Sequence, residues 1–210
     1  MKKIINKILL TFLLFCIVPL SSNFADVDKN KIYNDMIKKY GKINSIFAVC
    51  NSVNDKFNFI EIKAKQGNKY KIKTSDMEII SNGKTIWSYS PKKKSVLISD
   101  FSEEDSDVSI DNIFFNVLPN LQPMSLKSVV SNTKSKQYRL ELYNSNKNEN
   151  IKEIYLYIDE KIKKIEGIEV ITNNKTNMKW DIKKLEINYS IPDSVFTFKV
   201  PKGVEEIDVR

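Results

Sequence analysis

The sequence predicts a mainly β protein with a few helices (α+β), built on one large antiparallel sheet. Three observations carry this. Short segments alternate apolar and polar side chains, as in Lys69-Tyr70-Lys71-Ile72-Lys73, so that one face of each strand is buried. Compact polar turns separate them: Gln66-Gly67-Asn68, Asn82-Gly83 and the stretch Asn144 to Asn150. No β-helix-β rhythm and no solenoid repeat interrupts the series, so consecutive strands should pair as an antiparallel meander.

The first 25 residues read as a cleaved secretory signal peptide. Lys2, Lys3 and Lys7 precede an apolar run from Ile8 to Leu20, and Ser21, Ser22 and Ala25 are small residues near a cleavage point after Ala25. The run is shorter than the span of about 20 residues that a membrane helix needs. Cys16 follows Leu14-Phe15 rather than small residues, so lipid attachment there is not expected. Residues 26–210 are expected to form one exported domain in the periplasm, large enough to bury a core without staples.

The whole chain carries a net charge of +8, and loss of the three leader lysines lowers it to +5. The lysines alternate with apolar residues along strands, which marks a solvated outer face and not a nucleic-acid stripe. Cys50 alone remains after cleavage, so no internal disulfide forms, and it reads as a small buried hydrophobe. The chain has no histidine and five glycines. Ser-His-Asp and Cys-His catalysis, histidine metal or haem sites and glycine-rich phosphate loops are thereby removed. The composition favours a binding protein without cofactor or metal over an enzyme.

Taken in order, Asp28 to about Val49 reads as one amphipathic helix or two short ones. Ile32, Tyr33, Met36, Ile37 and Tyr40 recur at helical spacing, Asp28 caps the start, and Gly41 stops or kinks the run. Lys56 to Lys65 is a strand whose alternation slips between Phe59 and Ile60, suggesting a bulge. Lys69 to Thr74 is the next, with Tyr70 and Ile72 on one face. Met77–Ser81 and Thr85–Ser90 pair across Asn82-Gly83, a dipeptide suited to the positive φ angles of a hairpin turn. Pro91 closes that hairpin, and Ser95 to Phe101 follows the corner Lys92-Lys93-Lys94.

Residues 100–111 are acidic. They lack the ligand spacing and turn glycine of a calcium loop and read as a solvated loop with helix N-terminal charge. A carboxylate-based hydrolase would have to use this run. An apolar helix fits Ile110 to Leu118, ended by Pro119, and 124–134 suits another short helix. Strands return at Gln137–Tyr143, Ile151–Ile158, Lys163–Thr172, Lys179–Asn188 and Val195–Val200.

Many strands with few helices make a large curved sheet, which either closes on its own side chains or stays open around a cavity. The apolar helices must bury a face, most simply over the mouth or concave side of the sheet. Phe114 and Phe115 are adjacent and cannot share one helix face.

Several segments resemble the LolA family in order along the chain. The run Asn82-Gly83-Lys84-Thr85-Ile86-Trp87-Ser88-Tyr89-Ser90-Pro91 is similar to the family's DGKTLW-Y-P signature. Ile46-Phe47-Ala48 resembles the end of its N-terminal helix, and Ile113 to Leu118 stands where its second apolar helix would. The segment from Ile191-Pro192 through Val195-Phe196-Thr197-Phe198 to Pro201-Lys202-Gly203-Val204 is similar to its closing -F-F-PGV stretch.

The resemblance implies an incomplete antiparallel β-barrel with a helical lid over a hydrophobic cavity for acyl chains. It implies a monomeric periplasmic carrier that accepts acylated lipoproteins from an inner-membrane ABC transporter complex and delivers them to the outer-membrane receptor LolB. Phe47, Tyr70, Ile72, Trp87, Tyr89, Phe114, Phe115 and Leu118 are then expected to line the cavity or lid. The family's Arg-Pro latch is replaced here by Gln66-Gly67 beside Lys65, which makes Lys65 and Gln66 the candidate latch. Gln66 carries no charge, and Lys65 is a point charge without a planar fork. A lipid-binding or envelope-sensing module on the same fold, without shuttling, is the alternative.

Overall fold

Two antiparallel meanders lie side by side in one twelve-stranded sheet. The computed structural model describes residues 27–53, 59–102, 113–131, 134–143 and 151–210. The first meander holds β1 (Ser45–Ser52), β2 (Ile60–Lys65), β3 (Lys69–Lys73), β4 (Glu78–Asn82), β5 (Thr85–Ser90) and β6 (Ser95–Asp100). The second holds β7 (Gln122–Val130), β8 (Lys136–Tyr143), β9 (Ile151–Asp159), β10 (Ile165–Thr172) and β11 (Asn177–Ile187). A terminal β12 (Glu205–Asp208) completes the order β12-β6-β5-β4-β3-β2-β1-β11-β10-β9-β8-β7. Pairing of β1 with β11 welds the meanders together, and the sheet stays curved and unclosed, as an incomplete barrel does.

One register runs unbroken across six strands. Ile46, Ala64, Tyr70, Ser81, Ile86 and Ser99 form one row, and Phe47, Lys63, Lys71, Ile80, Trp87 and Ile98 the next. Because side chains alternate along each strand, the two rows face opposite sides of the sheet. The inner face carries Ile46, Ala48, Cys50, Ile62 and Ala64. It continues through Leu140, Leu156, Ile158, Ile168 and Trp180 of the second meander, all buried.

Two segments cover that inner face. Helix α1 (Lys29–Tyr40) starts at Asp28, whose carboxylate accepts from the Asn30 amide at 2.9 Å, and buries Ile32, Met36 and Tyr40. β6 and β7 lie toward opposite edges of the sheet, and the described part of the connection between them, residues 113–121, packs on the inner face. It carries a π-helical turn Ile113–Val117 and a 3-10 turn Leu118–Asn120. Ile113, Phe114 and Leu118 are buried against the core. Among the described residues no helix is long and apolar enough to cross a membrane.

Three expectations are corrected and one strand is added. Residues 45–49 are strand and not the end of a helix. Ile43, Ile46 and Val49 mimic helical spacing, but Ile46, Ala48 and Cys50, each fully buried, set a period of two in a strand flanked on both sides. The 124–130 part of the supposed helix at 124–134 belongs to β7, where pairing with β8 overrides a weak pattern. Val195–Val200 joins no strand: a 3-10 turn Asp193–Phe196 leads into unpaired chain. β12 has only Ile207 as an apolar residue, which is why no pattern announces it, and its pairing with β6 is parallel. The leader and most of the acidic run at 100–111 lie outside the described residues.

Candidate functional site

The first meander is pinned by two turns that pack on one another. Gly67 and Gly83 both take positive φ, +86° and +88°. A Cβ on Gly83 would lie 2.4 Å from the Gly67 carbonyl oxygen, so that position tolerates no side chain. Ser81 Oγ donates to the Asn68 carbonyl at 2.8 Å. Asn82 itself does not need positive φ: its side-chain oxygen accepts from the Lys84 and Thr85 amides, both at 2.9 Å.

The sheet register divides the expected cavity residues between its two faces. Tyr70 and Ile72 stand on the inner face, and Phe114, Phe115 and Leu118 pack onto it from the covering segment. Phe114 is buried with its ring 6.0 Å from that of Tyr40, and Phe115 is half-buried. Phe47, Trp87 and Tyr89 point the other way, in register with Lys63, Ile98 and Val96.

The outer-face aromatics belong to a second apolar layer. Ile80, Val96 and Ile98 are buried on this face beside the strap 189–204, which brings in Ile191 and Phe196. Tyr89 stacks with Phe198 and Phe47 with Tyr189. The strap is fastened by Lys65, which donates to the Ile191 carbonyl at 3.2 Å and to Asp193 at 2.7 Å, and by Lys69 to Asp193 at 3.2 Å. These two ammonium groups hold the Asp193 carboxyl below its ordinary range.

The two candidate latch residues therefore hold different things. Lys65 fastens the outer strap. Gln66 donates its side-chain amide to the Ile43 carbonyl at 2.9 Å, fixing the link between α1 and β1. Three further bonds tether α1: Lys29 Nζ to the Met124 carbonyl at 2.8 Å, Tyr33 hydroxyl to the Leu121 carbonyl at 2.5 Å, and Lys39 Nζ to the Lys163 carbonyl at 3.4 Å. Among the described residues every one of these tethers ends on a backbone carbonyl, and none is an ion pair.

Tyr33, Met36 and Tyr40 of α1 face Leu118, Leu156 and Ile165 across a gap of about 10 Å³. That is room for one water at most. The lining is apolar and the gap is far too small for an acyl chain, so an occupant of that size enters only by displacing α1 or the 113–120 segment. Tyr33, Tyr40, Leu156 and Ile165 were not singled out as site residues from the sequence. The helical period marked the α1 pair, but nothing in the chain says that β9 and β10 lie under α1. A larger hollow, about 400 Å³, is on the outer face of the second meander. It is lined by Gly167 together with Arg139, Tyr157, Lys179 and Asp181. Its mixed charges suit no acyl chain.

The family described as outer membrane lipoprotein carrier protein LolA matches residues 61–199. An uncharacterized conserved protein from Thermus thermophilus superposes with a TM-score of 0.51 at 9% identity, over 87% of this chain and 100% of that one. That likeness shows the fold alone. A LolA superfamily protein from Nitrosomonas europaea gives 0.39 at 10% identity, over 82% and 98% of the two chains. The lipoprotein LppX from Mycobacterium tuberculosis gives 0.42 at 8%, over 78% and 95%. Comparison with curated proteins finds no sequence match.

Proposed function

The chain belongs to the LolA family, and from that premise we propose that it is an envelope carrier that takes the acyl chains of lipoproteins beneath α1. The observation that supports this reading best is the apolar compartment under a helix whose side-chain tethers, among the described residues, end on backbone carbonyls. The full route runs from an inner-membrane ABC transporter complex, through the periplasm, to an outer-membrane receptor of the LolB kind. The reading needs no catalytic residue.

The magnitudes allow entry by displacement. Lifting α1 uncovers chiefly Ile32, Met36 and Tyr40, at about 1.5–3 kcal/mol for each large side chain, or roughly 5–9 kcal/mol together. An acyl chain of about 16 carbons gains roughly 0.8 kcal/mol per buried methylene, on the order of 12 kcal/mol. Insertion therefore outweighs lid opening, while the cost of opening tempers affinity and leaves release feasible. In this scheme Tyr70, Ile72, Phe114, Phe115 and Leu118 touch the acyl chain. Phe47, Trp87 and Tyr89 serve as the scaffold on the far side, and Gln66 restrains the lid.

A release assay tests the proposal. Spheroplasts producing a labelled outer-membrane lipoprotein are incubated with the purified protein, and binding of a fluorescent fatty acyl probe is measured in parallel. Cargo in the supernatant as a complex with this protein is the expected result. Probe binding with cargo retained on the membrane would replace the carrier by a lipid-binding module that does not shuttle. Loss of both would remove the lipid reading.

A further inference from the structure

One end of the molecule gathers positive charge from three separate elements. The C-terminal turn of α1 and its exit contribute Lys38, Lys39 and Lys42. The link between β7 and β8 contributes Lys134, the first residue of β8 is Lys136, and the tight turn between β9 and β10 contributes Lys161. All six are exposed. The elements touch: Lys39 Nζ reaches the Lys163 carbonyl at 3.4 Å, and the Glu160 amide donates to the Lys136 carbonyl at 3.1 Å. Among the described residues none of the six forms an ion pair, although other lysines of the chain do.

The acids at this end are already engaged. Asp159 Oδ1 accepts from the amides of Lys161 and Ile162, at 2.8 and 2.7 Å, and so builds the turn. Glu160 accepts a hydrogen bond from Tyr138, and Glu166 accepts from Gln137 at 2.6 Å. Asp35 stands a turn back along α1. Lys163 is held against the protein, its Nζ 4.2 Å from the Tyr138 ring centroid and donating to the Glu160 carbonyl. The tip of the same turn is apolar: Ile162 is 66% exposed, and Val130 at the end of β7 is 68% exposed.

We propose that this end is a docking surface for an anionic phospholipid bilayer, with the lysines on the headgroups and Ile162 inserted between them. Charge alone would suit any polyanion. An isoleucine held at the tip of a basic turn gains only where apolar material lies behind the negative layer, which singles out a bilayer. The placement also serves the carrier reading on which it builds. Tyr40 and Ile165, which border the apolar compartment, sit at the ends of α1 and β10 nearest the lysines, so the lid would open toward the surface that holds the cargo.

Vesicle co-sedimentation of the purified full-fold protein tests this, using phosphatidylcholine vesicles with and without 30% phosphatidylglycerol (about that fraction suffices for a strong surface potential). Each basic side chain at such a surface contributes roughly fivefold in partitioning. The variant K38Q/K39Q/K134Q/K161Q should lose tenfold or more on the anionic vesicles, and Ile162→Ser several-fold. A control with the same charge change elsewhere, K93Q/K94Q/K199Q/K202Q, should lose far less. Equal loss in the two quadruple variants, or no preference for anionic vesicles, overturns the proposal. So does tighter binding of an oligonucleotide through the same lysines with Ile162→Ser silent. Acyl-probe binding measured on the same samples separates this surface from the carrier reading, since these exposed substitutions leave the apolar compartment intact.

Discussion

Tyr89 and Phe198 stack with ring centroids 5.3 Å apart, on the face of the sheet opposite α1. The sheet is thus sandwiched between a helical cover on its inner face and an extended strap on its outer one. The strap has no strand pairing of its own and depends on side-chain burial. Phe196, 1% exposed, is its main anchor. Phe196→Ala should destabilise the protein by about 3–5 kcal/mol in urea unfolding. A loss below about 1 kcal/mol would mean that the strap is an ornament and not part of the core.

The two packed turns give a paired test. Gly67→Ala suffers only its positive φ, roughly 1–2 kcal/mol, because its Cβ would meet open space. Gly83→Ala suffers the same plus a contact at 2.4 Å with the Gly67 carbonyl, worth about 1–3 kcal/mol more if the backbone shifts. Thermal unfolding of both variants should therefore rank Gly83→Ala clearly below Gly67→Ala. Equal losses would show that the turns separate freely.

These contrasts show what the chain reveals locally and what it hides. The strand pair flanking Asn82-Gly83 is legible because turn and alternation agree. The face of each strand is not legible, because Tyr70 and Trp87 both sit in alternating runs with apolar neighbours and either face could be the inner one. The inward direction is fixed by pairing of β1 with β11, residues far apart in sequence. β1 itself was hidden for a related reason: Ile43, Ile46 and Val49 satisfy a helical period, and only partners on both sides make the period of two prevail. The strap escaped because Phe196-Thr197-Phe198 alternates as a strand does while its backbone pairs with nothing. Phe114 was legible as one of two adjacent phenylalanines that must diverge, and it is the one buried.

Cys50 reports on opening of the inner core. It is fully buried at the seam of β1 and β11, and desolvation pushes its thiol up to about 12. At pH 8 its thiolate fraction is lower than that of a free cysteine by a factor on the order of a thousand. A disulfide reagent should therefore react very slowly with the native protein and rapidly in denaturant. Fast native labelling would place the seam among the regions that open readily.

Acid should weaken one cluster on β3 and β4. Burial raises the Glu78 carboxyl, but Lys71 at 3.0 Å and Lys73 at 3.6 Å outweigh it, and the net shift is downward. A carboxylate depressed in the folded state stabilises above its unfolded value and loses that contribution as pH falls through the folded one. The pair is partly exposed, so the amount is at most about 1 kcal/mol. Glu78→Gln should flatten the fall in stability below about pH 4 while leaving the rest of the profile unchanged. An unaltered acid limb would assign it to other carboxylates.

The tethers of α1 separate lid strength from compartment affinity. Tyr33→Phe removes the hydroxyl that donates to Leu121 at 2.5 Å and keeps the ring that borders the compartment. Gln66→Ala removes the amide on Ile43, outside the compartment. Each change should cost about 0.5–1.5 kcal/mol of stability. If acyl chains enter by lifting α1, each should speed probe association several-fold and raise affinity by up to the stability that the closed state loses, because opening then opposes binding less. Leu118→Phe should do the opposite, filling the one-water gap of about 10 Å³ and slowing uptake. Unchanged association rates in both tether variants, with Leu118→Phe still binding normally, would move the acyl chain away from α1 altogether.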